Sequence, residues 1–91
     1  MGQFTKKSSA SAKLPLLDLH GSRLEGLEDQ VDRFLMQAHQ SGVHQVRIMT
    51  GKGSGQVRAA VQKYLKLGGY PFRFEKLPNG EENQGVLIVQ V

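Results

Sequence analysis

At 91 residues the chain is the size of one small domain, which buries only roughly 60 to 65 % of the surface its unfolded chain exposes, so one modest core is the limit. Hydrophobic residues at 38 % and charged residues at 22 % exclude a disordered chain, no apolar run is long enough for a helical membrane span, and the absence of Cys excludes a thiol nucleophile, a disulfide framework and a sulfur-bound metal. The net charge is +4, but Lys6, Lys7 and Lys13 stand in the opening segment, which leaves nine cations against eight acids from Leu14 onward.

Residues 1–13 are rich in Ser, Ala and Lys and read as a flexible basic tail or linker, with the folded domain at 14–91. No charged-then-apolar leader follows Met1, so the cytoplasm is the expected compartment. Leu14 to Leu19 is short and apolar, which suits a first strand buried on both faces. His20-Gly21 ends it, and Ser22 with Glu25 has the spacing of a capping box that would open a helix. Leu24, Leu27, Val31, Phe34, Leu35 and Ala38 form one stripe at helical spacing, closed at Gly42.

Val46 to Thr50 reads as a second strand, followed by the glycine loop Gly51 to Gly55 and a second helical stripe of Val57, Ala60, Val61, Tyr64 and Leu65 ending at Gly68-Gly69. Phe72 and Phe74 alternate with Arg73 and Glu75 in a third strand, Pro78-Asn79-Gly80 marks a turn, and Val86 to Val91 forms a fourth. Tyr70 stands apart as a loose aromatic between Gly69 and Pro71. The order is βαβαββ. Strands one and two, joined through a helix, should pair in parallel by a right-handed crossover, so their carboxyl ends share the sheet edge where open α/β sheets bind ligands. Asp18, His20 and the glycine loop all fall at that edge.

Asp18 and His20 are two apart, so their side chains point to the same side, and a carboxylate beside an imidazole sets its tautomer for acid–base work or for contact with a phosphate. The plainer alternative is a turn cap at Asp18 and a packed histidine at a strand end. In the loop Thr50-Gly51-Lys52-Gly53-Ser54-Gly55, glycines admit a ligand close to the backbone and the helix start favours an anion. The spacing fits neither a Walker A loop nor a dinucleotide fingerprint, which disfavours nucleotide hydrolysis. A tight turn capped by Ser54 is the alternative. Lys52 and Arg58 favour phosphate, because cations at a helix start oppose its dipole unless an anion is bound.

Arg47, Lys52, Arg58, Lys63 and Lys66 span 46–67 without an acid, which suits a polyanion, whereas Glu25, Glu28, Asp29 and Asp32 cluster on helix one. His39 and His44 lack partners at ligand spacing and read as surface residues.

Leu17-Asp18-Leu19-His20-Gly21 resembles the opening LDLHG motif of the Smr (small MutS-related) domain family, and Thr50-Gly51-Lys52-Gly53 resembles its second motif, HGxG or TGxG. The resemblance covers 14–91. It implies an α/β fold, a two-layer βαβαββ sandwich with a mixed four-stranded sheet similar to the C-terminal domain of translation initiation factor three. It also implies nucleic-acid binding, endonuclease activity on DNA or RNA in many members, and occurrence within larger MutS-related or RNA-binding proteins. Two departures stand out: Thr50 replaces a frequent His, and Asn83-Gln84-Gly85 replaces a double-glycine approach to the last strand.

The catalytic residues expected are Asp18 and His20, with Thr50, Gly51, Lys52, Gly53, Ser54, Gly55 and Arg58 on the phosphate. On RNA the attacking group is a 2′-hydroxyl; on DNA it is water helped by a divalent metal such as Mg. The alternatives are a non-catalytic module that recognises branched or ribosome-associated nucleic acid, and a protein-interaction domain using the acidic side of helix one.

Overall fold

The computed structural model describes residues 14–53 and 55–91; the expectations for the opening tail and for Ser54 fall outside them. The elements are β1 (Leu16–Asp18), α1 (Leu27–Gln40), β2 (Gln45–Met49), α2 (Gln56–Gly68), β3 (Phe72–Lys76) and β4 (Glu82–Gln90). The sheet runs β1-β2-β4-β3, with β1 parallel to β2 and both β2 and β3 antiparallel to β4. The architecture is the expected α/β one, with a mixed four-stranded sheet.

Both helices pack on one face of the sheet. Leu27, Val31, Leu35 and Ala38 of α1 and Val61 and Leu65 of α2 join Leu19, Val46, Ile48, Leu87 and Val89 in a single core. Because strand side chains alternate, Leu16, Asp18, Arg47, Met49, Val86 and Ile88 belong to the opposite face. The two helices are further tied by Tyr64, whose hydroxyl donates to Asp32 Oδ1 at 2.6 Å. That bond to a carboxylate raises the Tyr64 pKa to about 12, so the hydroxyl keeps its proton, and the bond survives until pH rises through that value.

Four expectations need correction. β1 is an edge strand, and Leu16 and Asp18, on its face away from the helices, are exposed and not buried. Helix one starts at Leu27, not at Ser22; its N-cap is Gly26 in the left-handed conformation (φ 77°), with no side-chain cap, so the Ser22/Glu25 capping box does not form. A residue with a side chain would be strained at that φ, and the chain enters the helix there. Leu24 is consequently off the buried stripe. Tyr70 is not loose: its amide donates to Leu65 O at 2.9 Å and its ring lies so close over Gly68 that a Cβ there would meet it at 2.9 Å.

Leu87 sits fully buried at the centre of the sheet, between β2 and β3 and beneath both helices. Leu87→Ala is expected to cost about 2–5 kcal/mol, the range for a buried leucine whose cavity cannot collapse. Urea unfolding followed by circular dichroism measures it. A loss under about 1 kcal/mol would mean that this position is not central to the core.

Candidate active site

The parallel pairing sets Asp18 opposite Met49, the last residue of β2, so the chain leaves both strands at the same edge. Leu19 extends the ladder through its amide to Met49 O at 2.7 Å, and the chain then turns at His20-Gly21, with the Ser22 amide on Leu19 O at 2.9 Å. Asp18 Oδ1 accepts two hydrogen bonds from His20, one from its backbone amide at 3.1 Å and one from ring Nδ1 at 2.5 Å. The carboxylate is thus both a turn cap and an orienter of the imidazole, while the packed histidine of the plainer alternative is not seen, because the ring stands largely in solvent.

An ionised carboxylate only accepts, so Nδ1 carries a proton, and in the neutral imidazole Nε2 is the nitrogen with the free lone pair. Hydrogen bonds from His20 hold the Asp18 carboxyl below its ordinary value of 3.8. A depressed acid keeps its partner above that ordinary value and loses it as pH falls through the lowered one, so the pair is intact at neutral pH. The imidazole is 66 % exposed, open to a substrate as large as a polymer.

The second segment comes from β2. Thr50 is buried, and Gly51 (φ +79°) turns so close to His20 that a Cβ at Gly51 would lie 3.2 Å from the His20 Cβ. Only glycine satisfies both the dihedral and the contact. The amides of Thr50 and Gly51 both donate to Gly85 O, at 2.8 and 3.2 Å. Gly85 lies in β4 where the register against β3 shifts: Phe74 faces Leu87 while the next residue, Glu75, faces Asn83. A bulge of this kind re-aims backbone groups beside a site.

Asn83 Oδ1 accepts the Gly85 amide at 3.0 Å, its Nδ2 donates to Glu75 Oε1 at 3.4 Å, and Glu75 Oε2 meets Arg47 Nε at 3.1 Å. The loop beside His20 is therefore braced from β2, β3 and β4. Sequence reasoning noted Asn83 and Gly85 only as a departure from a motif. The available signal was an Asn two residues before a Gly, the spacing of an Asx turn.

Thr50, Gly51, Lys52, Gly53 and Gly55 line a cleft of ≈ 710 Å³ together with His20. Gly21, Ser22, Arg23 and Leu24 continue one wall, and Gln56 and Val57 of α2 the other. Arg58 is held beside Gly55, with Nη1 3.5 Å from Gln84 O, and α2 has no acid in its first turn. Arg47 does not join this basic surface: it lies in β2, largely buried and paired with Glu75. The acids of α1 are partly engaged as well, Asp29 with Arg33 and Asp32 with Tyr64.

Among the described residues no three His, Asp, Glu or Cys side chains converge on a metal position, and Asp18 Oδ1 already faces His20. These residues do not assemble a resident metal cage. No described helix is long and apolar enough to cross a membrane.

The Smr domain family model matches residues 17–91, more than four-fifths of the chain and both motif segments. The chain belongs to the Smr domain family. Endonuclease MutS2 of Exiguobacterium sibiricum is 40 % identical over 88 residues, 96 % of this chain but 11 % of that protein. Endonuclease MutS2 of Acetivibrio thermocellus is 37 % identical over 75 residues, 82 % of this chain and 10 % of that protein. This Smr domain thus corresponds to about a tenth of the length of these larger MutS-related proteins. The crystal structure of the Smr domain of Thermus thermophilus MutS2 superposes with a TM-score of 0.71 at 30 % identity, over 85 % of this chain and 96 % of that one.

Proposed function

We propose that this Smr domain binds nucleic acid in the cleft and cleaves a phosphodiester there. The loop beyond Gly51, with Lys52 in the cleft and Arg58 beside it at Gly55, holds the phosphate, and His20, oriented by Asp18, moves the proton. The observation that carries the reading is the lining: among the described residues of the cleft, Arg23 and Lys52 are cationic and none is acidic, and the one imidazole present has its Nδ1 on a carboxylate. The name endonuclease carried by the MutS2 relatives supports it.

On RNA, His20 Nε2 takes the proton of a 2′-hydroxyl, whose oxygen bonds to phosphorus as the 5′ oxygen leaves and is protonated by solvent, giving a cyclic phosphate. On DNA, water supplies the attacking oxygen. Because Thr50 stands where the family motif frequently has His and its buried hydroxyl lies 3.4 Å from Gly51 O, His20 is the one imidazole lining the cleft among the described residues. That feature favours, as the second reading, a non-catalytic binding module on the same surface.

Fluorescence anisotropy over a range of salt tests the binding half. Affinity is expected to fall with log–log slope of about 0.7 to 0.9 per phosphate contact, through counterion release. Lys52→Ala and Arg58→Ala should each lower that slope by about one unit. Absence of a complex with single-stranded, duplex and branched probes at low salt would sink the reading. Cleavage of labelled RNA and DNA, with the cut ends identified, separates the enzyme from the binding module.

A further inference from the structure

The late start of α1 changes what the cleft is able to hold. A helix beginning at Ser22 would place Leu24 on the buried stripe above Leu27 and Val31. With entry delayed to Gly26, Leu24 is left 50 % exposed, one of four large hydrophobics in the described residues that reach solvent. Single exposed leucines are ordinary. This one, however, lines the same concavity as His20 and the glycine loop, and Val57, the second residue of α2, lines it too. Arg23 beside it is exposed and forms no ion pair among the described residues.

A phosphate has no use for a leucine, and it fills a small part of ≈ 710 Å³. The group nearest to a phosphate along a nucleic-acid chain that does have an apolar face is the base. In a duplex that face is covered by its stacked neighbours, and it becomes available only in an unpaired or extruded nucleotide, which proteins grip between apolar side chains. Resting on the nucleic-acid reading above, we infer that Leu24 and Val57 form a nucleobase subsite, with Arg23 on the flanking phosphate, so that the domain selects unpaired nucleotides. Duplex regions can meet the cations but not the apolar walls.

The test compares three anisotropy probes of equal length at fixed salt: a single strand, a fully abasic strand and a blunt duplex. The wild-type chain is expected to bind the base-bearing strand more tightly than the abasic strand. Leu24→Ser should weaken binding of the base-bearing strand roughly five- to tenfold, the worth of burying half a leucine, and leave the abasic strand and the duplex unchanged. Leu24→Met, which keeps the apolar surface, should retain the preference.

Equal wild-type affinity for base-bearing and abasic strands overturns the subsite, and that comparison decides even if Leu24→Ser fails to fold. A Leu24→Ser loss equal on all three probes overturns it as well. Absence of wild-type binding to every probe instead overturns the nucleic-acid reading itself, and the subsite with it.

Discussion

His20→Ala is expected to slow phosphodiester cleavage on the order of a hundredfold or more, the usual worth of a positioned acid or base. Kd should hardly move. The imidazole is mostly exposed and contributes little to the core, so removing it should leave the fold intact, and on the proposed reading the phosphate rests on the loop and Lys52, with Arg58 beside the cleft at Gly55. What disappears is the imidazole nitrogen Nε2, which the Asp18 contact at Nδ1 orients away from the carboxylate. Single-turnover cleavage beside an anisotropy titration separates the two effects. If His20→Ala cuts as fast as the parent, the proton-transfer role is wrong. If the parent does not cut at all while binding tightly, the binding-module reading takes its place, and Thr50 is the residue to examine.

Gly51→Ala should be the second most damaging change, for two separable reasons. Its backbone has φ +79°, where a side chain costs about 1–2 kcal/mol, and its new Cβ would press on the His20 Cβ at 3.2 Å. The backbone has little room to yield, because the Thr50 and Gly51 amides are both bonded to Gly85 O. Displacing His20 by a fraction of an ångström should lower cleavage by roughly ten- to a hundredfold. Gly42 supplies the control: it has the same φ of +79°, with nothing within 4 Å of a built Cβ, at the far end of α1. Gly42→Ala should lose comparable stability by thermal melting and keep its activity. Equal activity in the two variants would show that contact with His20 is immaterial.

The parts of the site that were legible in the sequence are those set by local geometry. Two-residue spacing set Asp18 and His20 toward one side, and across the turn that follows β1 they are joined at 2.5 Å. Glycine spacing marked the loop after β2 as a close approach, and Gly51 lies against His20. The brace was not legible. Asn83, Glu75 and Arg47 come from three strands, and their link depends on a register shift between β3 and β4 that no period in the chain announces. The same pairing explains why Arg47, counted by charge as part of a basic face, is instead paired and largely buried.

For the fold, alternation and helical stripes in the sequence were enough to determine six elements in the order βαβαββ, since each stripe must bury its own apolar side and the connecting helices require β1 and β2 to run parallel. Where α1 begins was decided only by tertiary structure. Ser22 and Glu25 have a capping spacing, yet the turn at His20-Gly21 and the left-handed Gly26 set the entry three residues beyond Leu24. Leu27, Val31 and Leu35 are buried with either start, and the cap contribution of about 1 kcal/mol is forgone because β1, paired with β2, delivers the chain into the turn at His20-Gly21 ahead of Gly26. That late start left Leu24 in the cleft, beside the histidine and the loop that the topology had already brought to one edge.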